Sequence, residues 1–195
     1  MLHLPNIYLA SSSPRRQELL TQIGVTFELL PVSIDENKAV HESPLEMAER
    51  LALLKAGAGW QHSLRKKNLP VLGADTIIVL EQQVLGKPID RKDGIQMLKQ
   101  LSGKQHQVIT AIAIILNETV KTEISTTKVF FREMSDAECE AYWETGEPCD
   151  KAGGYAIQGL GAMFISKIEG SYSGVVGLPL FETSKLLKTF HEKLI

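Results

Sequence analysis

The apolar run Ile7-Tyr8-Leu9-Ala10 ends directly on Ser11-Ser12-Ser13-Pro14-Arg15-Arg16, and the helical run Gln17 to Ile23 follows without a break. Four apolar residues bounded by hydroxyls and a proline predict a buried strand that turns straight into a helix. Ser13 is then the N-cap and Pro14 the first helical residue. Arg15 and Arg16 fall in the first turn, where the helix dipole disfavours each cation by roughly 0.3–1 kcal/mol. A bound anion would remove that conflict. Free backbone N–H groups, serine hydroxyls and two guanidinium forks together make a phosphate-binding constellation. The alternative is that both arginines point into solvent or pair with Glu18 and the next strand.

A chain of 195 residues can bury a sizeable core as one domain, or as one elongated α/β domain with two lobes. Both signs of charge are interspersed and the formal net charge is −2, so general attraction to nucleic acid or to an anionic membrane is excluded and any anion site must be local. The first residues, Met1-Leu2-His3-Leu4-Pro5-Asn6, lack a basic leader region, and no apolar stretch has the length of a membrane span, which predicts a cytoplasmic protein. Cys139 and Cys149 have no metal-binding spacing with the five histidines, so neither zinc nor a disulfide is expected.

Further along, Gly24 closes the first helix and Phe27 to Val32 reads as a strand. Ser43-Pro44-Leu45-Glu46 is a capping box that opens a helix to about Gly57 or Gly59. Leu45, Ala48, Ala52 and Ala56, with Leu51 and Leu54, define its buried face and leave Arg50 and Lys55 at the rim. Two apolar runs, Val71–Ala74 and Ile77–Leu80, flank Asp75-Thr76, and a hairpin leads on to Val84-Leu85. A helix over Asp90–Leu101 precedes two long strands, Val108–Leu116 and Thr122–Phe131, expected to pair antiparallel. A second capping box at Ser135, a glycine-rich segment from Asp150 to Gly161, a strand over Phe164–Ile168 and a helix from about Pro179 to Lys193 complete the pattern.

Asp75 is the sharpest chemical candidate. A carboxylate within Val71-Leu72-Gly73-Ala74-Asp75-Thr76-Ile77-Ile78-Val79 costs several kcal/mol, roughly, to bury without a cation, a metal or hydrogen-bond donors. Asp75-Thr76 could be a bend between two strands, or Asp75 could be a general base or metal ligand at a strand end. Glu36 taken alone is an ordinary surface acid. Lys87, held between Gly86 and Pro88, suits a positioned cation. Neither a Walker loop nor a dinucleotide fingerprint is present in the sequence. Gln158, among the glycines, offers a donor and an acceptor that could read a nucleobase edge. Together these acids, cations and one amide suit metal-assisted attack on a nucleotide polyphosphate.

In register along the chain, Leu9-Ala10-Ser11-Ser12-Ser13-Pro14-Arg15-Arg16, Asp35-Glu36, Leu53-Leu54-Lys55-Ala56, Gly73-Ala74-Asp75-Thr76, Gly86-Lys87-Pro88, Leu101-Ser102-Gly103, Asp150-Lys151-Ala152-Gly153 with Ile157-Gln158-Gly159, and Val176-Gly177-Leu178-Pro179 resemble the Maf family of nucleoside triphosphate pyrophosphatases. The resemblance implies a single domain over 1–195 with a mixed, elongated α/β sheet flanked by helices in two lobes about a central cleft, similar to inosine triphosphatase. It implies hydrolysis of a nucleoside triphosphate to the monophosphate and pyrophosphate with Mg²⁺ or Mn²⁺, and a homodimer. Asp75 matches the family's proton acceptor. Ser11, Arg16, Glu36, Lys55 and Lys87 match its surrounding polar site. Asp75 and Glu36 are the candidate metal ligands, and Asp75 either removes the proton itself or holds the metal that does so. The family divides at three positions: the branch acting on dTTP and UTP resembles Arg15, Thr76 and Gln158, whereas the 7-methyl-GTP branch carries Trp, Gln and Glu there. The pattern departs at Ser12, where relatives have glycine or asparagine. The family name is tied to inhibition of septum formation, so a nucleotide-binding regulator of division is the rival reading. Two acids beside a polyphosphate weaken binding unless a divalent cation lies between, which favours an enzyme.

Overall fold

The computed structural model describes residues 4–191. In chain order they form β1 (Ile7–Leu9), α1 (Pro14–Gln22), β2 (Phe27–Leu29), α2 (Pro44–Trp60), β3 (Val71–Leu80), β4 (Gln83–Leu85), α3 (Arg91–Leu101), β5 (Gln105–Leu116), β6 (Thr119–Phe131), α4 (Asp136–Glu144), β7 (Ile165–Glu169), α5 (Tyr172–Val176) and α6 (Leu180–His191). One sheet takes all seven strands in the order β2-β1-β3-β5-β6-β7, with β4 paired to β3. β1 is parallel to β2 and β3, whereas β3–β4 and β6–β7 are antiparallel, so the sheet is mixed and the class is α/β as expected. The two residues joining β5 to β6 leave no room for a crossover, which makes that pair antiparallel as well.

The chain divides into two compact units, one holding the residues up to Asp75, Thr110–Ser125 and those from Gly177 onward, the other Thr76–Ile109 and Thr126–Val176. In the first unit, α2 opens on the expected capping box: Ser43 Oγ accepts from Glu46 N and Glu46 Oε2 accepts from Ser43 N. Its buried face is Met47, Ala48, Leu51, Ala52, Ala56 and Gly59, whereas Leu45 and Leu54 are 48% and 44% exposed, against expectation. The reason is backbone proximity. A β-carbon on Gly73 of β3 would lie 2.4 Å from Ala56 N and 2.5 Å from Ala52 O, so beside Gly73 only small residues of α2 face the sheet and Leu54 is turned outward, while Leu45, about two turns earlier, lies outside that contact. At about 100° per residue, Lys55 falls inside that arc rather than at its edge.

Two strand expectations change in the same unit. β2 ends at Leu29 rather than Val32; Leu30 N still donates to Leu9 O at 2.9 Å, but Pro31 has no N–H to continue the ladder. Asp75 and Thr76 form no bend, because β3 runs unbroken through them. Ser13 takes the N-cap backbone conformation without a side-chain cap; its N–H donates instead to Ser11 Oγ.

The second unit is built on a cluster that includes Ile78, Leu98, Phe131, Tyr142, Tyr155 and Phe164. The β3–β4 hairpin turns on Glu81 and Gln82, both with positive φ (48° and 70°). Gly94 of α3 lies under the ring of Trp143 from α4, where a β-carbon would be 2.0 Å from the indole. α5, capped by Ser171 Oγ accepting from Gly174 N, was not foreseen. The expected end of the last helix at Lys193 lies outside the described residues. Among the described residues, no helix is long and apolar enough to cross a membrane.

Candidate active site

Within the first unit, Lys55 Nζ lies 2.6 Å from Asp75 Oδ1 and 2.6 Å from Glu36 Oε1. The Asp75 and Lys55 side chains are 9% and 13% exposed and that of Glu36 56%, so one covered ammonium joins a buried acid to an open one. Asp75 therefore resolves the puzzle of its apolar strand: the fold supplies a cation, delivered by the buried face of α2.

Arg16 neither points into solvent nor pairs with Glu18. Its Nε donates to Gly177 O at 2.8 Å and its Nη1 to Ser11 Oγ at 3.2 Å, and Ser11 Oγ also accepts from Ser13 N. Burial lowers the Arg16 pKa below the ordinary guanidinium value and the Arg15 charge adds to this, while Asp75 and Glu36 oppose both. Arg15 is half-buried and makes no hydrogen bond or ion pair among the described residues. Arg16 is thus held by Ser11 and lies within electrostatic reach of Asp75 and Glu36, the two acids that Lys55 joins.

Two further residues hold this group in place. Arg50 of α2 donates Nε and Nη2 to Glu42 at 2.5 and 2.8 Å and Nη2 to Asn37 O at 3.0 Å, while Glu42 accepts from Ala39 N. The Arg50 hydrogen bonds hold the Glu42 carboxyl down to about 2. This clamp ties the loop bearing Glu36 to the helix bearing Lys55. The sequence does not show it: Arg50, like Lys55, reads as lying towards the edge of the buried face of α2, and nothing local marks Glu42 as its partner.

Thr76, Lys87 and Gln158 belong to the second unit. Thr76 is half-buried; Lys87 and Gln158 are exposed, and neither has a hydrogen-bond or ion-pair partner among the described residues. Gly86 O, beside Lys87, accepts from Gly153 N at 2.9 Å, which lays the Lys87 loop against the glycine-rich segment. Gly153 has φ 66° and a β-carbon there would meet Ile78 Cδ1 at 2.8 Å, so the close approach requires glycine.

Among the described residues, no three His, Cys, Asp or Glu side chains gather as a metal cage. Glu36 and Asp75 nevertheless fit Mg²⁺ or Mn²⁺, since such ions are commonly held by one or two carboxylates with substrate phosphates completing the shell.

A mixed α/β sheet thus carries a carboxylate pair beside a helix whose first turn holds two arginines, and the chain belongs to the Maf-like protein family, which it matches over residues 6–190. It is 53% identical over 186 residues to the dTTP/UTP pyrophosphatase of Saccharophagus degradans, covering 95% of this chain and 89% of that one. With the dTTP/UTP pyrophosphatase of Aliivibrio fischeri it shares 52% identity over 186 residues, covering 94% and 97%. Among solved structures, the Ham1 protein of Staphylococcus aureus aligns with a TM-score of 0.44 and 15% identity, over 67% of this chain and 72% of that one.

Proposed function

We propose that the protein hydrolyses dTTP and UTP to the monophosphate and pyrophosphate. The observation that carries this reading is the Lys55 ammonium shared by Glu36 and Asp75 beside an anchored Arg16, in a chain about half identical to relatives of that name. Attack of water on the α-phosphorus needs a group to take the proton of the water and cations to balance charge on the departing pyrophosphate. Asp75 is assigned the first role. Its carboxylate is nearly covered and fixed by Lys55, so it is oriented before substrate arrives. Arg16, Lys55 and Lys87 are assigned the second, and Ser11 orients Arg16. Glu36 and Asp75 would hold a divalent cation, Mg²⁺ or Mn²⁺, which when bound supplies further charge neutralisation.

Base selection is assigned to Arg15, Thr76 and Gln158. An amide can donate to a carbonyl and accept from the imide N–H of uracil or thymine, a pattern that cytosine reverses, and it brings no negative charge to meet a cationic methylguanine. We further propose a homodimer acting in the cytoplasm, on the strength of the family resemblance; light scattering on a size-exclusion column tests the first.

The test of the reaction is product analysis on dTTP and UTP with and without Mg²⁺. Monophosphate and pyrophosphate in equal amounts are expected. Release of orthophosphate, or binding without turnover at saturating Mg²⁺, would overturn the reading.

A further inference from the structure

We propose that Glu147 and Tyr142 are positioning residues that fix the Ala156–Gly161 segment and so set the base selectivity of Gln158. The inference rests on the reading of Gln158 given under the proposed function. Gln158 is exposed and its side chain makes no hydrogen bond with a described residue, so its direction depends on the backbone that carries it. That backbone is gripped at both ends. Ala156 N donates to Tyr142 Oη at 3.1 Å, Tyr142 Oη donates to Glu147 Oε1 at 2.6 Å, and Glu147 accepts Leu160 N on Oε2 and Gly161 N on Oε1, each at 3.0 Å.

The grip is also steric. A β-carbon on Gly159, the residue after Gln158, would lie 2.0 Å from Glu147 Oε2, so the carboxylate packs directly on the segment's backbone. Burial alone would raise the Glu147 pKa; the hydrogen bonds from Tyr142, Gly161 and Leu160 outweigh it and hold the carboxyl below the usual range. An ionised carboxylate accepts at both oxygens, which is what three donors require, and the isosteric amide of glutamine cannot do this because one end is a donor. Neither Glu147 nor Tyr142 is placed among the groups that meet phosphate.

The experiment compares wild type, Glu147→Gln, Gln158→Ala and the double variant, reading kcat and KM for UTP and CTP from pyrophosphate release, with amide hydrogen exchange across residues 156–161. Glu147→Gln is expected to speed exchange at Leu160 and Gly161 and to lower the UTP-to-CTP ratio of kcat/KM about tenfold through the KM for UTP, with kcat nearly unchanged. In the Gln158→Ala background the same substitution should leave the ratio where Gln158→Ala alone put it. Tyr142→Phe, which keeps the packed ring, should move the ratio in the same direction by a smaller factor and stands in if Glu147→Gln fails to fold. An unchanged ratio in the folded variant, or an equal fall in both backgrounds, overturns the inference while leaving the proposed reaction standing. A wild type that hydrolyses neither nucleotide overturns both.

Discussion

Gly73 and Ala56 meet backbone to backbone: a β-carbon on Gly73 would stand 2.4 Å from Ala56 N. Residues two apart on a strand share a face, so Gly73 places α2 on the same side of β3 as Asp75, and Lys55, the residue before Ala56, arrives at that carboxylate. The glycine thus sets the geometry of an ion pair in which it takes no part.

Gly73→Ala should therefore cost stability and turnover together. The added methyl has only backbone to displace, and overpacking of this kind costs roughly 1–3 kcal/mol. Urea denaturation should show the loss, and kcat should fall in the fraction that remains folded. A variant with unchanged kcat would separate the helix contact from the ion pair.

Asp75→Asn removes the charge at nearly constant volume. A fall in kcat of about 100-fold or more is expected with the fold retained, since general acid–base groups contribute at least that much. Circular dichroism and pyrophosphate release check the two halves. Turnover near wild type in a folded variant would leave Asp75 with a structural role alone.

Lys55→Met leaves the buried Asp75 carboxylate without its cation. Breaking a covered pair from one side costs about 3–5 kcal/mol, whereas the open Glu36 half contributes little. Combining Lys55→Met with Asp75→Asn should restore part of the loss, because the unpaired charge is then gone. Additive losses in thermal melts would contradict the pairing.

Much of this arrangement was legible in the chain. Pro14 at its first helical position and the capping box Ser43-Pro44-Leu45-Glu46 announce their helices because the chemistry of a first turn is local, and the apolar setting of Asp75 announces a partner because burying a lone charge is costly. Which cation answers it was not legible. Lys55 reads as a rim residue until Gly73 is seen to turn the small-residue stripe of α2 inward and expose Leu54. The clamp of Arg50 on Glu42 and the grip of Glu147 on the Gln158 segment were equally hidden, since each joins residues whose types are ordinary on any surface. The continuity of β3 through Asp75-Thr76 follows from pairing, which the sequence of one strand does not contain.

His106 carries a pH dependence of stability. It is buried beside Phe131 and Tyr155, its Nε2 lies 2.8 Å from Tyr155 Oη, and burial lowers its pKa to about 4. The unfolded chain, with an ordinary histidine, binds a proton that the folded chain refuses between about pH 6.5 and pH 4. Stability should be fully present above the unfolded value and be lost as pH falls through this window, by a few kcal/mol at most, roughly. Denaturation midpoints at pH 7 and pH 4.5 measure the loss. His106→Gln should flatten the slope, and an equal slope in that variant would assign it to the carboxylates.

Gln158→Glu should lower kcat/KM for UTP and dTTP more than about tenfold, since an acceptor-only carboxylate faces a carbonyl that needs a donor. A wild type that prefers 7-methyl-GTP, or a variant with an unchanged profile, would refute the base-reading role of Arg15, Thr76 and Gln158.

The two lysines assigned to phosphate differ in how the fold treats them. Lys55 is nearly covered and bound to two acids, whereas Lys87 stands exposed with no partner among the described residues. An amine-directed reagent such as an activated ester reaches what solvent reaches, so it should acylate Lys87 early and Lys55 late. Nucleotide added beforehand should slow both reactions, the fast one at Lys87 by the larger factor. The order of labelling, read by peptide mass, separates a cation already engaged by its own fold before the visitor arrives from one left open until then.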